Sequence, residues 1–496
     1  MTTRGDRGLS RRIEAVLALD PSAGAVEFDG RWRTWGDLAL TVDAVGEQIA
    51  ETGTQVGVLL RSRPLSVGLL LGVLRAGGCV VAINPQRGVE RTMQDVAELD
   101  LPVLAGEPAD IEAVAEASTR STVLTAGDVG VPLLVREADR PGPPGLRPGT
   151  AVRMLTSGTT GPPKRIDLTY ETLERVLVGA KHYESNRDPE LRLRSGVAVV
   201  NSPLVHLGGL FRVLQCVSDG RPFSLLERFT VEGWLDAVRR HRPQTVSLVP
   251  AALRMVLEAD PDPTDLRSVR SVVSGTAPLS PDDADAFTSR YGVPVLISYA
   301  ATEFGGGVAG WNIADHKEFW SAKRGSVGRA HAGCALQVVS PESGAVLAPN
   351  EEGVLEVKAS QLGSNTPWIR TTDIARLDAD GFLWIVGRAD QAIIRGGFKI
   401  HPDDVRAALE SHPGVRGAAV VSTDDPRLGA VPVAVVELRP GQSISPDELI
   451  AHASSRLARY ELPAEVIIVE TLPRTPSAKV DLQAVRSLVQ ERSTAD

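Results

Sequence analysis

Residues 155–164 read LTSGTTGPPK, a loop that combines hydroxyl side chains, glycines, prolines and a lysine. Gly and Pro often interrupt regular structure for steric reasons alone, so a simple turn is one interpretation. The other is a loop that binds polyphosphate, because glycines let backbone N–H groups approach an anion while hydroxyls donate and Lys164 adds charge. It is not a Walker loop, since the Gly before the lysine and the hydroxyl residue after it are both missing.

The composition limits the classes of protein to which the chain can belong. Its 496 residues exceed a single ordinary core, so we expect two or more domains. Acidic residues outnumber basic ones by 62 to 53, for a formal charge of -9, which argues against a nucleic-acid partner. Cys79, Cys216 and Cys334 are widely spaced and favour neither a disulfide framework nor a zinc cluster. We find no secretory signal and no membrane span, and therefore expect a cytoplasmic protein without a membrane partner.

Helical and strand patterns alternate along the chain. Leu38, Val42, Val45 and Ile49 share one helical face, and Thr34 is placed to cap that helix. Short continuous apolar runs indicate buried strands: VGVLL from 56, GVAVVNSP from 196, TVSLVP from 245, SVVSG from 271 and VPVLISYA from 293. This alternation predicts an α/β fold with mostly parallel sheets layered with helices.

The sequence pattern changes after Asp390. A helical stretch from 402 is followed by strand patterns from 415 and 430 and by a second helix, where Ser445 and Glu448 have the spacing of a capping box. About a hundred residues of this kind can form a domain of their own. We therefore predict a large N-terminal domain, residues 1–389, and a small mobile α/β C-terminal domain, residues 390–496.

The opening loop resembles the signature T-S-G-[ST]-T-G-x-P-K of the adenylate-forming superfamily, which includes acyl-CoA synthetases, peptide-synthetase adenylation domains and luciferases. Six further segments resemble motifs of that family and occur in its order: NSPLVHLGGL (201–210), SGTAPL (274–279), YAATE (299–303), TTD (371–373), GRADQAIIRGGFKI (387–400) and PRTPSAKVDL (473–482). The resemblance spans essentially the whole chain. It implies an adenylation core that binds ATP and an acid, and a C-terminal lid that carries a catalytic lysine.

The resemblance implies a role for each residue that matches a family motif. ATP is bound by Thr156, Ser157, Gly158, Thr159, Thr160, Gly161, Lys164, Gly275, Thr276, Ala277, Tyr299, Asp373 and Arg388. Catalysis involves Lys479, Thr302 at the α-phosphate, and Glu303, which also holds Mg²⁺. The substrate pocket comprises His206, Gly208 and Ala300. Asp390 is the hinge, and Gly396 and Gly397 line the thiol tunnel.

Residue types alone leave simpler interpretations open. Lys479 could be a solvated charge, Asp373 and Arg388 a structural pair, and His206 a core histidine. The FGGGVAG segment from Phe304 favours a flexible turn over a specialised pocket.

Four positions depart from the family pattern, because Arg165, Ala300, Thr372 and Ala478 stand where the family has glycine. Where the glycine served a positive φ, these residues would impose strain or a changed backbone. The chemically active side chains are nevertheless retained.

The resemblance implies an ATP-dependent ligase. A carboxylate, aryl or acyl, attacks the α-phosphorus of ATP, pyrophosphate leaves, and the acyl group passes to a thiol, for which coenzyme A is the first expectation. Three alternatives stay open: adenylation of a non-carbon acid such as nitrite, transfer to a carrier-protein thiol, and a non-catalytic nucleotide-binding sensor.

Overall fold

The computed structural model describes residues 8–493 except 50, 52, 140–144, 157–163, 180–190, 364–365, 392, 396–397, 426–427 and 476–477. Elements up to residue 225 are α1 (Gly8–Leu17), β1 (Gly24–Phe28), β2 (Arg31–Thr34), α2 (Trp35–Glu47), β3 (Gln55–Leu59), α3 (Pro64–Arg75), β4 (Cys79–Ile83), α4 (Val89–Leu99), β5 (Val103–Gly106), α5 (Pro108–Ala113), β6 (Thr122–Thr125), β7 (Leu134–Arg136), β8 (Thr150–Thr156), β9 (Lys164–Thr169), α6 (Tyr170–Gly179), β10 (Ala198–Val200), α7 (Leu207–Ser218) and β11 (Phe223–Leu225).

The elements that follow are α8 (Val231–His241), β12 (Thr245–Ser247), α9 (Pro250–Ala259), β13 (Ser271–Ser274), α10 (Pro281–Tyr291), β14 (Val295–Ala301), β15 (Gly306–Gly310), α11 (Ile313–Phe319), β16 (Arg329–Ala330), β17 (Ala335–Val339), β18 (Glu352–Lys358), β19 (Ile369–Leu377), β20 (Leu383–Arg388), β21 (Ile393–Arg395), β22 (Phe398–Ile400), α12 (Pro402–Glu410), β23 (Val415–Asp425), β24 (Gly429–Leu438), α13 (Pro446–Ser454), β25 (Glu465–Val469) and α14 (Leu482–Ser493). We call residues 8–388 the N-terminal unit and residues 393–493 the C-terminal unit.

Within the described residues the strands form five sheets. Three of them, described next, contain the parallel pairing that the sequence predicts. The largest has the order β7-β6-β5-β3-β4-β8-β9, with parallel strands from β6 to β8 and an antiparallel strand at each edge. The second begins with parallel β12-β13-β14 and continues with antiparallel β15 and β16. The third has the order β10-β11-β1-β2. The predicted α/β class is confirmed.

Two further sheets, in which antiparallel pairs predominate, complete the fold. Strands β17-β18-β19-β20 form an antiparallel sheet that the sequence patterns did not single out, because its strands are only partly buried and carry charged residues among the apolar ones. In the C-terminal unit the predicted strands from 415 and 430 become β23 and β24, which pair antiparallel, and β25 adds in parallel to β24. The buried residues of the C-terminal unit form clusters of their own.

Both predicted helix starts are confirmed. Thr34 Oγ1 accepts a hydrogen bond from Asp37 N at 3.1 Å, and Asp37 Oδ2 accepts one from Thr34 N at 2.7 Å. Ser445 and Glu448 form the same reciprocal arrangement at the start of α13. A cap of this kind contributes about 1 kcal/mol. The helix after Ser445 ends at Ser454.

The interpretation of the glycine-rich FGGGVAG segment as a flexible turn is wrong. Residues 306–310 form β15, which pairs with β14 on one side and β16 on the other. Glycine has little intrinsic preference for a strand. The ladder on both sides therefore imposes the extended conformation.

The packing of α2 against α3 depends on glycine. An added Cβ at Gly72 would lie 2.7 Å from Val45 Cβ, so the two helices approach more closely than any side chain at that position permits. None of the helices in the described part of the chain has both the length and the apolar character that a bilayer crossing requires.

Gly72→Ala should destabilise the protein although Ala is the better helix former. The propensity gain is about 1 kcal/mol, whereas overpacking against Val45 costs about 1 to 3 kcal/mol. Gly46→Ala in α2 is the matched control, because its Cβ would meet only the flexible end of Arg75, at 3.0 Å. Thermal unfolding should show a lower midpoint for Gly72→Ala and an equal or higher one for Gly46→Ala. Equal effects would contradict the packing argument.

Candidate functional site

The predicted nucleotide-binding and catalytic residues of the second sheet follow two neighbouring parallel strands. Gly275, Thr276 and Ala277 come directly after β13, and Thr302 and Glu303 come directly after β14. Because β13 and β14 run parallel, these residues gather at one edge of the sheet, where open α/β folds bind ligands.

Glycine at 275 is a steric requirement of this edge. An added Cβ would lie 2.8 Å from the Ser298 carbonyl oxygen, which is backbone and has no freedom to move aside. The next residue, Thr276, has a φ of 73°, a left-handed conformation that is uncommon for a side chain of this kind. The loop after β13 is thus held close against β14 in a strained shape.

A hydrogen bond joins this sheet to the antiparallel one. Tyr299 Oη donates a short hydrogen bond to Asp373 Oδ2 on β19. Burial, and secondly the Asp373 carboxylate, raise the pKa of Tyr299 far above its ordinary value, so the phenol keeps its proton and remains a donor. Asp373 faces Arg388 across β19 and β20, and Arg388 Nη2 donates to Thr372 Oγ1 at 2.5 Å. The structure thus brings the predicted ATP-binding residues Tyr299, Asp373 and Arg388 together.

Glu303 is exposed at this edge, in the helical turn Thr302–Phe304, and its charge is close enough to contribute to the raised pKa of Tyr299. Within the described residues no group of three or more His, Cys, Asp or Glu side chains could hold a metal ion. A cation at Glu303 would therefore take most of its ligands from phosphate and water, a donor set that suits Mg²⁺.

The loop of residues 155–164 lies between β8 and β9 of the largest sheet. Thr156 and Lys164 are register partners across β8 and β9, so the two ends of the loop are side by side. Ser157, Gly158, Thr159, Thr160 and Gly161 lie outside the described residues, as do Gly396 and Gly397 of the predicted thiol tunnel. Lys164 is exposed at the first position of β9.

The positive charge of half-buried Lys479 in the C-terminal unit acts on a histidine of the N-terminal unit. His206 directly precedes α7, and its Nε2 atom is buried with no hydrogen-bond partner in the described part of the chain. Burial, and secondly the positive charge of Lys479, lower the pKa of His206 to about 4, so its ring is neutral at physiological pH. Burial also lowers the pKa of Lys479. The fold thus brings the charge of the predicted catalytic lysine within electrostatic range of the predicted pocket histidine.

The remaining predicted residues have small or undescribed side chains. Gly208 and Ala300 are both exposed, and an added Cβ at Gly208 would have no atom within 4 Å. Asp390 lies in the helical turn Ala389–Gln391, between the two units. The roles given to these residues stay predictions.

Of the four positions that replace a family glycine, one is strained. Ala478 has a φ of 60°, in the turn where Ala478 N donates to Thr475 O and Thr475 N donates to Lys479 O. Arg165, Ala300 and Thr372 lie in strands without a positive φ. The expected strain is therefore confined to the residue that directly precedes Lys479.

Arg165 has a structural role. Its Nη1 donates to the Ala82 carbonyl oxygen at 2.9 Å, and its Nη2 lies 3.3 Å from Asp95 Oδ2. Because alternate strand residues point to opposite faces, Arg165 and the neighbouring Lys164 extend from opposite faces of the sheet. The arginine thus ties the base of the loop to the strand and helix behind it.

One supporting residue of this site gave no sequence signal. Glu437 ends the apolar run of β24, where its position suggests a solvent-facing strand end, yet it is only 1 % exposed. Its Oε2 accepts a hydrogen bond from Leu472 N at 2.9 Å, near the start of the segment that carries Lys479. Only the tertiary contacts identify it.

Comparisons with known proteins agree with this geometry. Residues 13–364 match the family model described as AMP-binding enzyme, and residues 404–479 match the AMP-binding enzyme C-terminal domain. The indoleacetate–CoA ligase of Aromatoleum aromaticum is 29 % identical over 517 aligned positions, which cover 98 % of this chain and 99 % of the relative. The 2-succinylbenzoate–CoA ligase of Bacillus velezensis is 29 % identical, with 93 % and 94 % covered.

A solved structure of similar fold extends the comparison. The amide bond synthetase from Marinactinospora thermotolerans superposes with a TM-score of 0.77 at 26 % identity, and the alignment covers 97 % of this chain and 99 % of the synthetase. The likeness includes both units.

Ala478→Gly should not destabilise the protein. It removes a left-handed alanine, which costs about 1 to 2 kcal/mol, and adds about 0.5 to 1 kcal/mol of unfolded-state entropy. Thr372→Gly should destabilise by about 1 kcal/mol, because a strand residue is lost together with the hydrogen bond from Arg388. Denaturant unfolding of both variants tests the contrast. A loss of stability for Ala478→Gly that equals that of Thr372→Gly would show that the φ is not a source of strain.

The lowered pKa of His206 predicts a pH dependence of stability. Between pH about 6.5 and about 4 the unfolded state binds a proton that the folded state does not, so the free energy of unfolding falls as the pH falls. From pH 7 to pH 5 the loss attributable to His206 should be at most about 2 kcal/mol. Urea unfolding of the wild type and of His206→Gln at both pH values measures it. The loss should be smaller in His206→Gln, and an equal loss would contradict the assignment.

Proposed function

The chain belongs to the family of AMP-binding enzymes, and on that premise we propose that it activates an aromatic carboxylic acid with ATP and transfers the acyl group to coenzyme A. As a member of the family it is an ATP-dependent, AMP-forming acid–thiol ligase. The aromatic acid is inferred from the full-length relatives, since indoleacetate and 2-succinylbenzoate both carry a carboxylate on an aromatic framework.

The observation that carries this proposal is the match of both parts of the chain to the AMP-binding enzyme family, and the charge of Lys479, which lowers the pKa of His206 further than burial alone does, supports it. A neutral imidazole cannot offset the charge of a partly dehydrated lysine, so the ammonium group is available to an anionic ligand. A carboxylate and an α-phosphate are such ligands. Gly208, two residues after this histidine, is exposed and an added Cβ there would meet no atom within 4 Å, which leaves room for a flat ring.

The two steps follow from the proposed roles of these residues. In the first, a carboxylate oxygen attacks the α-phosphorus and the bond to the pyrophosphate oxygen breaks, while Lys479 and Thr302 stabilise the added negative charge. In the second, the sulfur of the thiol attacks the acyl carbon, AMP leaves, and the thiol proton passes to solvent. Magnesium, when bound, shields the triphosphate charge, and Glu303 is the side chain proposed to hold it.

We also propose that the units behave as domains, 1–389 and 390–496, with Asp390 as hinge. Separate buried clusters in the C-terminal unit and the gap between the two family matches support this boundary. Gly396 and Gly397 are proposed to line the path of the thiol. Cys79, Cys216 and Cys334 form no disulfide within the described residues, which supports a cytoplasmic, reducing location.

A second acceptor class has an observation in its favour. The similarity to an amide bond synthetase extends over both units, so an amine could replace the thiol in the second step. The first step would be unchanged, and the nitrogen would attack the same acyl carbon.

The proposal is tested by pyrophosphate release from ATP and magnesium with a panel of aromatic and aliphatic acids, including indole-3-acetate. Each acid is run with coenzyme A, with an amine, with a phosphopantetheinyl carrier protein or with no acceptor, and the products are identified by mass spectrometry. We expect an aromatic acid to give pyrophosphate and an acyl-CoA. Nitrite is included as a non-carbon acid.

Lys479→Ala should lower pyrophosphate release by about a hundredfold or more, because a charge that stabilises the transition state is lost. Lys317→Ala, which removes an exposed lysine from α11, should leave the rate unchanged. ATP binding without release for any acid would favour the sensor. Release that requires nitrite, or a product only with amine or carrier protein, would overturn the proposed acid or acceptor.

A further inference from the structure

A buried carboxylate organises the C-terminal unit near the lysine segment. Glu437 is 1 % exposed and accepts hydrogen bonds on both oxygens. Arg416 Nη1 donates to Oε1 at 2.7 Å, while Leu472 N at 2.9 Å and Arg474 Nη2 at 3.4 Å donate to Oε2. These contacts offset the cost of burying the charge, and the removal of any one of them leaves a buried carboxylate poorly satisfied.

The same arginine reaches across to the N-terminal unit. Arg416 Nε and Nη2 form a two-pronged contact with Glu258 Oε1 and Oε2, at 3.1 and 3.0 Å. Glu258 belongs to α9 of the N-terminal unit, whereas Arg416 belongs to β23. Each of the three nitrogen atoms of one planar guanidinium therefore donates to a carboxylate of one unit or the other, a rigid geometry that lysine cannot reproduce.

Other contacts support the docking of α9 at this position. Arg439 Nη1 lies 3.5 Å from Glu258 Oε1. One helical turn earlier, Arg254 Nη2 lies 3.6 Å from Glu410 Oε2. Glu258 and Arg254 share one face of α9 because they are four residues apart. This face thus presents charges of both signs to complementary charges on the C-terminal unit.

On the other side of Glu437, Arg474 connects to the lysine turn. Arg474 Nη1 donates to the Ala478 carbonyl oxygen at 3.4 Å, and Arg474 pairs with Val480 in an antiparallel bridge. The peptide group that contains this carbonyl leads directly into Lys479. Thr475 N also donates to the Lys479 carbonyl oxygen, at 2.7 Å, and closes the turn.

We propose that Glu258, Arg416, Glu437 and Arg474 form a relay that couples docking of the C-terminal unit on α9 to the placement of Lys479. They are positioning residues, since they act through the backbone of the lysine turn. The inference rests on the proposed function, because it assigns the relay to the half-reaction in which Lys479 stabilises the adenylation transition state.

The coupling has a physical cause. When α9 and β23 separate, Arg416 loses Glu258 and directs its freed donors to Glu437. Arg416 then competes with Arg474 for the Glu437 carboxylate. Charged hydrogen bonds that share one buried carboxylate, here Glu437, influence one another, so a change at Arg416 alters the geometry at Arg474. The lysine turn is consequently best held when the units are docked as observed.

The test is a double-mutant cycle between residues at the two ends, Glu258→Gln and Arg474→Met, in the full chain. Two rates are measured separately: single-turnover pyrophosphate release, and thioester formation from chemically synthesised acyl-adenylate and coenzyme A. Each variant should slow adenylation by about tenfold. Thioester formation should change by less than about twofold, since Lys479 is assigned to the first step only.

Coupling is the decisive quantity. If the relay exists, the double variant should be at least about threefold faster in adenylation than the product of the single effects predicts, because either change already interrupts it. Effects that simply multiply would overturn the proposal, as would equal slowing of both half-reactions. Arg474→Lys, which keeps the charge, replaces Arg474→Met if thermal unfolding shows that the latter is misfolded, and the same coupling is expected from it.

The matched control is Asp260→Asn. Asp260 caps the end of α9 two residues after Glu258, and its carboxylate pairs with Arg290 inside the N-terminal unit at 2.5 Å. Asn tolerates its left-handed conformation. The control removes the same charge from the same helix and should leave adenylation unchanged and uncoupled to Arg474→Met. An inactive wild type would contradict the proposed function, whereas an active wild type without coupling would contradict the relay alone.

Discussion

The ammonium group of Lys479 is partly withdrawn from water, and burial lowers its pKa, although it belongs to the smaller of the two units. A buried charge costs several kcal/mol unless an opposite charge accompanies it. His206 is neutral and does not offset this cost, so the arrangement favours an anionic ligand. The rest of the structure can be understood as the means of holding this lysine in place and of presenting anions to it.

The edge of the second sheet that is proposed to face the anions is held by two contacts: the close approach of the loop after β13 to β14, and one short hydrogen bond. Gly275 lets the loop after β13 lie against the Ser298 carbonyl, and Tyr299 ties the end of β14 to Asp373 of the antiparallel sheet. These contacts make one surface of residues from two sheets. Preorganised donors and charges at such a surface are effective because no reorganisation is required when charge develops.

The replaced glycines show that a motif position and its physical requirement are different things. Arg165 and Thr372 lie in extended strands, where a side chain fits and gains partners, so the replacement alters contacts and leaves the backbone intact. Ala478 alone among the four occupies a conformation that favours glycine. The single strained residue precedes the lysine, and the Arg474 hydrogen bond to its carbonyl helps to hold it there.

The sequence by itself determined the α/β class, the helix starts at Thr34 and Ser445, and the order of the motifs, because periodicity and capping act over a few neighbouring residues. It did not reveal that residues 306–310 form a strand, since glycines lack the propensity and the two flanking strands impose the pairing. Nor did it reveal the burial of Glu437 or the proximity of His206 and Lys479. Only the tertiary structure decided these, because desolvation and charge proximity depend on which distant segments pack together.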